Sequence, residues 1–182
     1  ISDGKQTDVW VYDWARDALT RVTLDPGEHW MPVWTPDARH LTFRWNQPGG
    51  PPNLYRRPAD GGGDVQRLTT SPTSQYSGAW HPSGKTLAFQ VASNTGSDLL
   101  LLPMDGNEAS AWQPGKPTTF LSGHADSSPA FSPDGRWIAY QSNESGPNQI
   151  YVRPFPGPGG KWMISTDGGT FPVWSRARRE LL

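Results

Sequence analysis

The chain has 182 residues and a formal net charge of −1, with 16 Lys and Arg against 17 Asp and Glu. That balance leaves no basic face for a nucleic-acid backbone, no apolar run approaches the ~20 residues that cross a bilayer, and the lack of cysteine excludes disulfides and thiolate metal sites. Nineteen Pro and twenty Gly leave few windows for an apolar stripe at helical spacing, so the expected fold is all-β in a single domain-sized chain.

In chain order, the first predicted strands are Asp8-Val9-Trp10-Val11-Tyr12 and Arg21-Val22-Thr23-Leu24. The stretch 14–19 between them is the one helical candidate, and it is read as a turn. A phrase then begins that recurs to the end of the chain. Its copies are Pro32-Val33-Trp34-Thr35-Pro36-Asp37-Ala38-Arg39-His40-Leu41-Thr42-Phe43 and Gly78-Ala79-Trp80-His81-Pro82-Ser83-Gly84-Lys85-Thr86-Leu87-Ala88-Phe89. Next come Pro129-Ala130-Phe131-Ser132-Pro133-Asp134-Gly135-Arg136-Trp137-Ile138-Ala139-Tyr140 and a worn copy, Pro172-Val173-Trp174-Ser175-Arg176-Ala177-Arg178-Arg179-Glu180-Leu181-Leu182. The aromatic anchors Trp34, Trp80, Phe131 and Trp174 stand 46, 51 and 43 residues apart, each followed seven residues later by Leu41, Leu87, Ile138 or Leu181.

Each phrase reads as a β-hairpin, because Pro presets the first corner of its turn, Asp or Ser bonds its own main chain, and Gly supplies positive φ. A third strand follows (Asn53-Leu54-Tyr55, Asp98-Leu99-Leu100, Gln149-Ile150-Tyr151) and then a fourth (Arg67-Leu68-Thr69, Thr119-Phe120-Leu121, Trp162-Met163-Ile164). Four short strands in ~45 residues match one blade of a β-propeller. The expected blades cover 30–69, 77–121 and 128–165, with strands three and four of a split blade in 1–24 and strands one and two in 171–182. Two closures stay open: a four-bladed ring within one chain, or a homodimer in which two chains complete each other's split blade as eight blades, the arrangement favoured by large inter-blade aromatics. The chain lacks an initiator Met and begins in mid-repeat, which reads as a segment of something longer. Most of the ten Trp, five Tyr and six Phe are expected to pack between blades. Ala38 and Ala177-Arg178 stand where other copies carry the turn Gly or Asp-Gly, so those turns are expected to be remodelled.

Ser132-Pro133-Asp134-Gly135-Arg136-Trp137-Ile138-Ala139-Tyr140 with Gln149-Ile150-Tyr151-Val152-Arg153 resembles the TolB-type, WD-like propeller repeat. A narrower similarity runs through Asn143-Glu144-Ser145-Gly146, Val152-Arg153-Pro154-Phe155-Pro156-Gly157 and Trp162-Met163-Ile164-Ser165-Thr166-Asp167-Gly168-Gly169. This stretch is similar to propellers fused behind bacterial membrane-anchored serine/threonine protein kinases. That resemblance implies a sensing or interaction module outside the kinase, on the extracytoplasmic side.

Chemistry is sparse. His40 and His81 fall in hairpins, and His29 and His124 precede first strands. Gly123-His124-Ala125-Asp126-Ser127-Ser128 places Ser, His and Asp within one short stretch, but triads are assembled from distant segments and no Gly-x-Ser-x-Gly elbow is present. No metal-binding or phosphate-binding motif occurs, and no cofactor, catalytic residue or metal ligand is expected. Binding remains, of a protein or small-molecule ligand, with no membrane contact by this segment. The loops entering first strands vary while the frame around them repeats, which marks Trp30, Tyr76 and Phe171 as candidate contact residues. The expected function is a non-catalytic binding propeller within a larger signalling protein. The alternative is the gating propeller of a prolyl-oligopeptidase-like serine peptidase.

Overall fold

The computed structural model describes residues 1–2, 6–106, 112–178 and 180–182, and every described element of regular structure is a strand. The chain forms two compact units, Ile1–Ser77 and Gly78–Leu182.

In the first unit, β1 (Trp10–Asp13) and β2 (Ala18–Arg21) form a two-stranded antiparallel sheet. β3 (Glu28–Trp34), β4 (His40–Asn46), β5 (Asn53–Pro58) and β6 (Gln66–Arg67) follow as a four-stranded meander. Alternation along β4 points Leu41, Phe43 and Trp45 to one face, where they pack with Val9, Val22 and Tyr55. His29 joins them, fully buried and stacked on Trp45 at 5.2 Å. Its pKa is depressed because burial penalises the imidazolium, so it sits in this core as a neutral ring.

β7 (Gln75–Trp80) runs across the boundary between the units. β8 (Thr86–Ser93), β9 (Gly96–Asp105), β10 (Gln113–Pro114) and β11 (Thr118–Leu121) form with it a sheet in the order β10-β9-β8-β7, with β11 also on β9. β12 (Ser127–Phe131), β13 (Trp137–Ser142), β14 (Gln149–Pro154) and β15 (Trp162–Met163) make the last four-stranded sheet. Ala88, Phe131 and Ile138 form one buried cluster, with Phe120 and Phe155 against it, and Leu99, Tyr140 and Tyr151 form another. Burial pushes the Tyr140 phenol up to about 12.

The repeated turns close as their residues dictate. Gly84 and Gly135 take φ of 73° and 72°, and each donates its N–H to the carbonyl three residues back, His81 or Ser132, at 2.9 Å. Ala38 makes the same bond to Thr35 with φ 55°, so this turn keeps its shape and the alanine carries the strain, about 1 kcal/mol. In the last copy the tip of the turn is remodelled, with Arg178 N–H taken by the Ser175 hydroxyl, while the hairpin bonds below it are kept: Ser175 N–H donates to Glu180 O at 3.0 Å, and Val173 and Leu182 exchange N–H···O bonds beside the Trp174–Leu181 bridge. The anchors are not equivalent either. Trp80 and Phe131 are buried, whereas Trp34 is 45% exposed, so packing does not account for every aromatic side chain.

A polar device recurs beneath the strands. The Thr23 hydroxyl accepts Val9 N–H and donates to Asp8 Oδ1, both at 3.0 Å. Thr69 accepts Leu54 N–H at 3.0 Å and lies between the Asn53 and Gln75 side-chain oxygens. Ser165 accepts Ile150 N–H at 2.8 Å and donates to Gln149 Oε1 at 2.5 Å. In each case one hydroxyl satisfies a buried main-chain donor and orients the polar residue that opens the third strand. In the remaining repeat Asp98 holds that place, and its Oδ1 is buried without a partner among the described residues. Thr23→Val keeps the shape but strands the Val9 N–H and the Asp8 oxygen. It is expected to lower unfolding stability by about 1–3 kcal/mol, read from the urea midpoint at unchanged slope.

Candidate functional site

Trp30 and Met31, expected in a loop before the first strand, lie within β3, in its first half. Pairing between β3 and β4 runs in register at Glu28–Asn46, His29–Trp45 and Trp30–Arg44, then shifts before Val33–Thr42. The shift is a bulge, and Met31 within it has φ 54°. The same break falls between Ser127 and Ala130, where Ser128 has φ 51°, and Phe171 has φ 53°. All three residues precede a proline (Pro32, Pro129, Pro172). Sequence alone points the other way, because a residue before proline is expected to be extended. A left-handed non-glycine residue is held only where the surroundings over-determine it. Its recurrence marks the strand entrance as a fixed feature of the repeat.

Trp30 is 44% exposed and lies directly across from Arg44. Tyr76 is half-buried, and the Arg44 guanidinium sits over its ring, 4.6 Å from the centroid. Trp30 in β3 and Tyr76 in β7 thus both neighbour one cation of β4, which the sequence pattern alone did not single out. The Glu28–Asn46 pair, two residues further along the same strands, is joined by Asn46 Nδ2 donating to Glu28 at 3.1 Å. It borders an open depression of about 640 Å³ with Gly27, Pro48 and Gly50 on its walls. Phe171 belongs to the second unit and is 72% exposed. Its segment is tied to β12 by the Trp174 indole N–H donating to Ala130 O at 3.0 Å.

Three of the four histidines, His29, His40 and His81, are held by ring packing or side-chain contacts. His40 Nδ1 lies 2.9 Å from an Arg56 nitrogen, and His81 Nδ1 lies 2.7 Å from the Ser83 hydroxyl. His81 also stacks against Phe155 and Phe131. In the 123–128 stretch His124 is exposed while Asp126 is buried, and the Asp126 carboxylate takes a hydrogen bond from the Ser142 side chain rather than facing Ser127 or Ser128. The three residue types are neighbours in sequence without forming a relay. Among the described residues no group of three or more His, Asp or Glu side chains gathers to hold a metal.

Burial raises the Asp126 carboxyl above its ordinary 3.8, helped by Glu144 and Asp98 and opposed by Ser142 and His124. A carboxyl whose folded pKa is raised contributes stability in full below its unfolded pKa, and that contribution is lost as pH rises through the folded value. Asp126→Asn keeps the acceptor for Ser142 and removes the titration. The variant is expected to melt above wild type at pH 7.5, and the difference should close below about pH 4. Thermal unfolding at the two pH values checks this.

No protein-family profile matches the chain. In sequence it is 24% identical over 187 aligned residues to the uncharacterised peptidase YuxL of Bacillus subtilis, a match covering 82% of this chain and 28% of that protein. The chain spans about a third or less of the curated relatives it matches. In structure it is similar to TolB from Acinetobacter baumannii, with a TM-score of 0.58 and 23% identity over 81% of this chain and 35% of that one. It is also similar to a puromycin-hydrolysing peptidase from Mycobacterium tuberculosis, with a TM-score of 0.68 and 16% identity over 90% of this chain and 28% of that one. At these identities the likeness is one of fold. Antiparallel four-stranded sheets and these neighbours together give the chain a TolB-like β-propeller fold.

Proposed function

We propose that the chain is a non-catalytic propeller scaffold that binds a protein or ligand through the loops entering its first strands, as part of a sensor or interaction module in a larger signalling protein. Trp30, Tyr76 and Phe171 are its contact residues. The observation that carries this reading is the exposure of large apolar side chains at those entrances, Trp30 at 44% and Phe171 at 72%, beside a backbone held in a strained conformation. Apolar groups left in water on a rigid frame are surface that a partner can cover. The likeness to TolB supports an extracytoplasmic setting. Replacing all three residues with Ala should abolish partner retention while leaving the unfolding free energy within about 1 kcal/mol of wild type. Unchanged retention would sink the assignment.

The second reading, a propeller segment of a serine peptidase, is favoured by the match to YuxL. The two readings part on the flanking coding sequence. A kinase domain upstream supports the first, and an α/β-hydrolase domain downstream supports the second.

A further inference from the structure

Among the described residues of the first unit, Arg44 is a cation that no hydrogen-bond acceptor or carboxylate meets. Its Nε is buried with no hydrogen-bond partner, and among the described residues its guanidinium makes no hydrogen bond or ion pair. The Tyr76 ring lies beside it, answering the positive charge on one face and leaving the donors unused. Arg44 as a whole is half-buried, so part of its side chain reaches solvent. Around this fork stand the exposed Trp30 across the strand pair, the Leu54 position on the other side, and Tyr76 above.

We propose that Arg44, walled by Trp30 and Tyr76, binds a single carboxylate of a peptide ligand. The guanidinium end presents two parallel donors that match a carboxylate. The aromatic walls exclude water from that contact and offer flat apolar surface to the adjoining peptide. Glu28 lies one pair further along the same face and repels a second negative group, so the site takes one carboxylate rather than a polyanion. The carboxylate comes from a C-terminus or from an Asp or Glu side chain. This inference rests on the reading of the chain as a binding scaffold and deepens it.

The test is a titration of the whole ¹⁵N-labelled 182-residue chain, following the Arg44 Nε–H and the Trp30 indole N–H by NMR. The probes are acetyl-Ala-Ala-Ala with a free C-terminus, acetyl-Ala-Glu-Ala-amide, acetyl-Ala-Ala-Ala-amide and inorganic phosphate. Saturating shifts of both signals with one or both carboxylate peptides, and none with the amide, are expected; which peptide acts identifies the source of the carboxylate. Arg44→Gln should weaken that binding at least about tenfold. Equal response to the neutral and charged peptides, or stronger binding of phosphate, overturns the proposal. So does silence from every probe, which leaves the scaffold reading to stand or fall on the triple-alanine experiment. Comparing the peptides on wild type alone keeps the test decisive even where Arg44→Gln fails to fold.

Discussion

Gly78→Ala is expected to destabilise the chain by roughly 3 kcal/mol, at the upper end for an overpacked contact. A Cβ at this position would collide with the Ala88 carbonyl oxygen and come within 2.7 Å of Pro129 Cγ. Neither obstacle is the free end of a flexible side chain. One is backbone in β8 and the other is a ring opening β12's apolar run. Relief requires separating strands, and the gain of less than about 1 kcal/mol from replacing glycine in the unfolded chain does not offset it. Position 78 is where the other copies carry Pro32, Pro129 and Pro172. The residue of the repeat's other copies is therefore the wrong one here, and Gly78→Pro should fare no better than Gly78→Ala. Urea unfolding read by tryptophan fluorescence measures both. A loss under about 1 kcal/mol would mean that the strands are farther apart than this account holds.

Gly135→Ala should cost about 3 kcal/mol by two separable routes. The residue has φ 72°, which charges any side chain about 1–2 kcal/mol. The new methyl would also press on His81, against Nε2 and 2.8 Å from Cε1. His81 cannot swing aside, because Phe131 and Phe155 hold its ring and Nε2 lies 3.1 Å from Gly135 O. His81→Ala in the same chain should remove the steric part, so the pair is expected to be non-additive by about 1–2 kcal/mol. Strict additivity would assign the whole effect to backbone strain.

These positions show what was legible in the sequence. Gly84 and Gly135 were readable as turn residues because their local pattern demands positive φ, and Trp34–Leu41 and Phe131–Ile138 pair across the hairpins that the spacing encodes. The steric role of Gly78 was not readable, since it arises from Ala88 and Pro129, which lie at a distance in sequence. The left-handed residues Met31, Ser128 and Phe171 were hidden for a related reason: the bulge that holds them is a property of strand pairing, and local preference opposes it. Asp8, Asn53 and Gln149 were aligned correctly, but their hydroxyl partners Thr23, Thr69 and Ser165, each two residues past the last strand of its repeat, became visible only in three dimensions. Trp30 and Tyr76 were found as loop aromatics. Arg44, which pairs with Trp30 across the strands and lies over the Tyr76 ring, was concealed by its place in the middle of a strand of mixed polarity.

The central claim is that binding occurs at the strand entrances rather than on the outer strands. Trp162 supplies the internal control, because it lies on β15 in the outer part of its sheet and is 50% exposed, close to the 44% of Trp30. The most direct measurement places a photo-crosslinking benzoylphenylalanine at position 30 or at position 162 of the chain in its native cellular setting. The account predicts a discrete covalent adduct from position 30 that Arg44→Gln diminishes, and only background from position 162. A specific adduct from position 162 with none from position 30 would contradict it.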